Sequence, residues 1–120
     1  MKAITFQGVE SVAYESVADP RVEEDTDALI RVGAAGLCGS DLHPYFGRET
    51  GLEAGTVMGH ELVGDIVELG AAVSGFAVGD RVVAPFTTNC GRCFYCRIGL
   101  TARCEKGRLL GWIENGEGLH

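Results

Sequence analysis

The sequence predicts a mainly β domain: a small barrel or sandwich with one cysteine-rich excursion near residues 90–107. Three observations predict it. Short Val- and Ile-rich runs, several alternating apolar with polar, recur between glycines. Glycine is abundant at 18 residues and proline scarce at 3, so turns are plentiful and strands seldom interrupted. Four of the five cysteines fall between residues 90 and 104.

Taken in order, the expected strands are KAITF (2–6), ALIRVGAAG (28–36), ELVGDIVEL (61–69) and DRVVAPF (80–86). The run GFAVGD (75–80) is turn chemistry set before the last of these. One short helix is expected over 39–45, with Ser40 or Gly39 near its N-cap and Pro44 limiting its length. At the end, Asn115-Gly116 is a hairpin-type dipeptide that calls for a second strand, yet the sequence stops at His120. There is no internal repeat and no low-complexity tract.

At 120 residues the chain is one domain with enough sequence for a core. A hydrophobic content of 46% and a charged content of 22% are globular values, not those of a disordered chain. The net charge of −7 argues against a general nucleic-acid binder. Arg92, Arg97, Arg103, Lys106 and Arg108, against Glu105, give residues 90–110 a charge of +4, which leaves −11 on the rest. The opening residues lack the apolar core of a signal peptide, and no apolar run has the length of a membrane span. A soluble, cytoplasmic protein is expected, with no membrane partner. Structural disulfides are uncommon in that compartment, so the cysteines need another use.

Cys90, Cys93, Cys96 and Cys104 read C-x2-C-x2-C-x7-C. Two intervening residues let successive thiolates turn onto one tetrahedral ion, and zinc accepts four sulfurs in a closed structural site. Gly91 and Gly99 supply turns for a loop, residues 89–107, wrapped around it. Buried or redox-active thiols and an iron–sulfur cluster are the alternatives. Four protein ligands leave no open position, so this site is structural.

Cys38 is left over, and taken alone it reads as a small buried hydrophobe. His60 and Glu61 form the chain's one adjacent His–Glu pair. A thiolate, an imidazole and a carboxylate together can make a catalytic zinc site, which keeps a position open for water or substrate.

The sequence CGSDLH (38–43), then GHELVG (59–64), then GDRV (79–82), then the four-cysteine run, resembles the N-terminal, GroES-like catalytic domain of zinc-dependent medium-chain alcohol dehydrogenases. The resemblance covers nearly the whole chain, and the run GRCFYCRIGLTARC (91–104) is most similar to bacterial members. It implies a partly open β-barrel. It implies that Cys38 and His60 are catalytic-zinc ligands, and that Glu61 approaches the metal during exchange of bound water. Asp41 would orient the ligand histidine, Ser40 would accept the alcohol proton, and His43 would relay it to solvent. Phe86 would line the substrate pocket. The bland alternatives are Ser40 as a helix cap, Asp41 as first-turn charge and Phe86 as core filler.

In this family zinc polarises the alcohol oxygen and hydride passes to NAD or NADP. The third catalytic-zinc ligand and the Rossmann cofactor domain come from beyond the region that residues 1–120 match. No G-x-G-x-x-G fingerprint follows a strand here. Gly39 stands where some members carry an arginine for cofactor phosphate. The expectation is a catalytic-domain fragment of an alcohol dehydrogenase that binds zinc but is inactive alone, with a weaker or empty catalytic site. Its parent would act on a small alcohol or aldehyde as a dimer or tetramer, and exposed strand edges would make the fragment self-associate. The alternative is a stand-alone zinc-stabilised GroES-like binding module without catalysis.

Overall fold

The computed structural model describes residues 1–114 and 117–119. Strand β1 (Lys2–Gly8) turns back at once into β2 (Ser11–Ser16), an antiparallel hairpin. Strands β3 (Ala28–Gly36), β4 (Glu61–Leu69) and β5 (Arg81–Ala84) form an antiparallel sheet in that order. A last hairpin pairs β6 (Trp112–Glu114) with β7 (Glu117–Leu119). The described sheets are open, and isolated bridges add Thr5–Val57 at β1 and Thr87–Leu109 in the connecting chain. This is the mainly β, partly open architecture that the sequence predicts.

Two elements differ from expectation. Strand β2 lies in a run, SVAYES, that carries an acid, Glu15, and few bulky apolar residues. Its pairing is fixed by β1 opposite it, through Ile4–Tyr14 and Phe6–Val12. Strand β5 stops at Ala84, because Pro85 has no N–H to give a ladder. Strand β7, three residues long, supplies the second strand that the Asn115-Gly116 dipeptide calls for. The Asn115-Gly116 turn itself lies outside the described residues.

The core is small: Ile66, Phe6, Ala3 and Ile113 are its buried apolar residues among those described. Thr5 and Thr56 are buried with them. Thr5 bridges to Val57, with Phe6 N–H bonding Thr56 C=O at 2.9 Å and Met58 N–H bonding Ile4 C=O at 2.9 Å. Residues 56–58 thus run antiparallel to β1 and deliver the chain into His60. On the sheet, Asp65 accepts from the Arg81 guanidinium at 2.9 and 3.4 Å, and that bond holds its carboxyl below the usual range. Among the described residues no helix is long and apolar enough to cross a membrane.

Candidate metal centres

The four-cysteine lobe hangs from a short neck. Thr88 N–H bonds Arg108 C=O at 2.9 Å, and Arg108 N–H returns to Thr88 Oγ1 at 3.2 Å. Within the lobe Cys93 caps the one-turn helix α2 (Phe94–Arg97), which carries Cys96. A 3-10 turn, Thr101–Arg103, then presents Cys104. Gly91 and Gly99 have φ of 67° and 82°, a conformation that side chains disfavour, and so provide the reversals that the sequence predicts.

The four sulfurs lie within 4.8 Å of one another, and Cys93 and Cys104 are 4.0 Å apart. A tetrahedral ion with sulfurs at about 2.3 Å sets them roughly 3.8 Å apart, so the donor set fits zinc. Backbone N–H groups aim at the sulfurs: Cys90 and Lys106 at Cys104, both 3.3 Å, and Cys93 at Cys90, 3.4 Å. Such donors favour thiolate. The N–H groups of Arg92 and Cys93 bring Cys90 down to about 6, and those of Cys96 and Glu105 lower Cys93. Burial, then the neighbouring Cys93 and Cys104 thiols, push Cys96 up to about 12.

The second cluster forms where β3 ends and β4 begins. These strands are antiparallel neighbours, with Gly36 opposite Glu61. Cys38, just past β3, therefore meets His60, just before β4. A 3-10 turn, Gly39–Asp41, leads into helix α1 (Leu42–Tyr45). The N-cap of that turn is Cys38, not Ser40 or Gly39. Ser40 lies inside the turn, so the expectation of a capping serine is corrected. Pro44 is buried in α1, which ends one residue later.

Asp41 organises this site. It is 5% exposed, and its two carboxylate oxygens divide the work. Oδ1 lies 3.2 Å from His60 Nδ1, and Oδ2 accepts the Cys38 N–H at 2.9 Å. With Nδ1 held, Nε2 faces the site, 3.1 Å from Ser40 Oγ. The Ser40 hydroxyl, then its backbone N–H, then the His60 ring, hold the Cys38 thiol below its usual range.

Adjacent strand residues point to opposite faces, so His60 and Glu61 should not converge. They do, because Glu61 folds over Gly36: its Oε2 lies 3.5 Å from where a Gly36 Cβ would be. Ligand atoms of Cys38, His60 and Glu61 all lie within 4.8 Å of one another. This soft–borderline–hard set also suits zinc, with positions left for other ligands. Gly111, absent from the sequence reading, leaves room for the histidine: a Cβ there would meet His60 Cβ at 3.3 Å. A lone glycine after a leucine pair gave no signal of that role.

Phe86 stands beside the cluster, its ring centroid 5.7 Å from that of His60. It is 45% exposed, so it is not core filler. His43 is exposed on α1, and no described hydrogen bond links its ring to Ser40. The structure thus brings together Cys38, Ser40, Asp41, His60, Glu61 and Phe86, and leaves His43 at the surface.

Comparison with known proteins gives a consistent result. The family model of the alcohol dehydrogenase GroES-like domain matches residues 24–120. The medium chain reductase/dehydrogenase ucsI of Acremonium sp is 49% identical over 92% of this chain and 38% of its own length. The zinc-type alcohol dehydrogenase B of Aspergillus flavus is 44% identical over 92% of this chain and 26% of its own. The solved alcohol dehydrogenase TADH from Thermus sp. ATN1 superposes with a TM-score of 0.90 at 41% identity, covering all of this chain and 34% of that one. The chain therefore spans between 26% and 38% of the length of these relatives.

Proposed function

We infer function from one premise: the chain belongs to the alcohol dehydrogenase GroES-like domain family, among zinc-type alcohol dehydrogenases. We propose that it is the N-terminal catalytic domain of a longer enzyme that oxidises a small alcohol, or reduces the matching aldehyde, with NAD or NADP. The observation that carries this reading is the chain Asp41–His60–Ser40 beside Cys38 and Glu61.

When bound, zinc supplies Lewis-acid polarisation of the alcohol oxygen. The rest is work for side chains. Asp41 fixes the His60 ring so that Nε2 is the ligand atom. Cys38 and His60 would hold the metal, with the Glu61 carboxylate close enough to serve as a further donor. Ser40 Oγ accepts the alcohol proton, since a hydroxyl accepts and donates at once. His43, exposed on the same helical segment, returns that proton to water. Phe86 forms an apolar wall beside the ligand histidine. Cys90, Cys93, Cys96 and Cys104 would hold a second zinc that keeps the lobe in shape, and with four protein ligands that site would leave no position for substrate.

Orientation of two reactants contributes roughly 7–11 kcal/mol to lowering a barrier, and these residues orient only the alcohol. The cofactor and the remaining zinc ligand belong to other parts of the parent. The parent works in the cytoplasm as a dimer or tetramer. The test is an assay of the purified chain with zinc, either cofactor and a panel of alcohols. No reduced cofactor should form. Turnover that disappears on Cys38→Ala would overturn this division of labour. A reading frame beyond position 120 that encodes a G-x-G-x-x-G fingerprint supports the enzyme, whereas a stop codon there supports a stand-alone binding module.

A further inference from the structure

The tip of the β1–β2 hairpin touches the segment that carries Ser40, Asp41 and His43. Gly8 pairs with Ser11, so Val9 and Glu10 alone make the turn. Glu10 has φ of 56° and is the one non-glycine residue with positive φ among those described. That conformation is uncommon for a side-chain-bearing residue and persists where its surroundings hold it. Here it aims the Glu10 N–H at the Tyr45 C=O, 2.7 Å away. Tyr45 is the last residue of α1, where helical carbonyls lack partners of their own. Beside it, the Val9 methyls cover Gly47, with Cγ2 at 3.2 Å from where a Gly47 Cβ would be. An open groove of about 290 Å³, lined by Phe6, Val9, Pro44, Gly47 and Leu52 among others, runs beside these two contacts.

We propose that Val9 and Glu10 are positioning residues: the hairpin tip clamps α1, α1 aims the Asp41 carboxylate, and that carboxylate aligns Cys38 and His60 together. Each link is a contact already given. Helix α1 continues directly from the turn that ends in Asp41. Asp41 holds the Cys38 backbone with one oxygen and the His60 ring with the other. Pro44 is buried and anchors one face of α1, while the groove beside the clamp is open, so on that side the tip contacts restrain the end of the helix. The consequence for metal binding rests on the reading of Cys38 and His60 as ligands. The mechanical link does not, and it is measured separately.

The test is amide hydrogen exchange by NMR on the zinc-loaded chain. Three variants are compared with the parent sequence: Val9→Gly, Gly47→Ala, and Gly47→Ala combined with Val9→Ala. The Cys38 amide reports the bond to Asp41, and the Cys90 and Cys93 amides, bonded to lobe sulfurs, are the internal control. In both single variants the Cys38 amide should exchange about three- to tenfold faster, with the lobe amides unchanged. The double variant removes the methyls that a Gly47 Cβ would strike but keeps an alanine at φ 67° and loses the Val9 cover, so its Cys38 rate should stay above the unmutated value. Unchanged Cys38 exchange in both single variants would overturn the proposal, as would equal acceleration of the lobe amides. Zinc titration of the unmutated chain tests the ligand assignment independently.

Discussion

Asp41 is a buried carboxylate with both oxygens committed, one to the His60 ring and one to the Cys38 backbone. Asp41→Asn keeps the shape but puts an amide where an anion supports the His60 Nδ1–H. Replacing such an outer partner typically costs 10–100-fold in metal affinity. We expect a loss of about that size at the Cys38–His60–Glu61 site, read by cobalt titration, with the four-cysteine site unaffected. The lobe thiols give a second expectation at this scale. Zinc binds thiolates. Cys90, lowered to about 6, is already ionised at neutral pH and releases no proton there. Cys96, raised to about 12, is still a thiol, and its proton must leave when zinc arrives. Lobe affinity should therefore rise by at least about tenfold per pH unit through the neutral range. It should fall more steeply once Cys90 gains its proton, as pH drops through about 6. Chelator competition across pH measures the slope, and a flat profile contradicts it.

At the level of elements, β4 is the strand on which both sides of the sheet depend, lying between β3 and β5. Its Gly64 is buried against β3, where a Cβ would sit 2.5 Å from both Arg31 O and Ile30 Cγ2. Gly64→Ala should destabilise the domain by about 1–3 kcal/mol, the usual cost of overpacking, and thermal unfolding measures it. The same elements show what a sequence displays and what it hides. Strands β3 and β4 were legible because Val, Ile and Leu mark the first half of β3 and the whole of β4. The lobe was legible because metal-ligand spacing is local. Strand β2 was not, since its partner across the hairpin fixes it more than its own composition does. Nor was the cap at Cys38, because it depends on an Asp41 carboxylate turned back to the Cys38 N–H. The role of Asp41 followed from family resemblance, whereas the convergence of His60 with Glu61 required seeing Gly36 beneath the glutamate.

The whole molecule is a scaffold with a small core that brings two donor clusters to separate addresses. The lobe is closed by local sequence alone: its four cysteines lie within one short excursion, and its basic residues are exposed around them. The other cluster depends on the register of β3 against β4 and offers three donors, of which Glu61 is exposed. Equal affinity at the two sites is therefore not expected. The most direct measurement is a zinc titration of the purified chain against a calibrated chelator, repeated on Cys93→Ser and Cys38→Ala. The account predicts one tight zinc that Cys93→Ser abolishes, together with loss of order over residues 90–107. It also predicts a clearly weaker second zinc that Cys38→Ala abolishes without disturbing the first. Two equally tight zincs, or a lobe that keeps its order without metal, would contradict it.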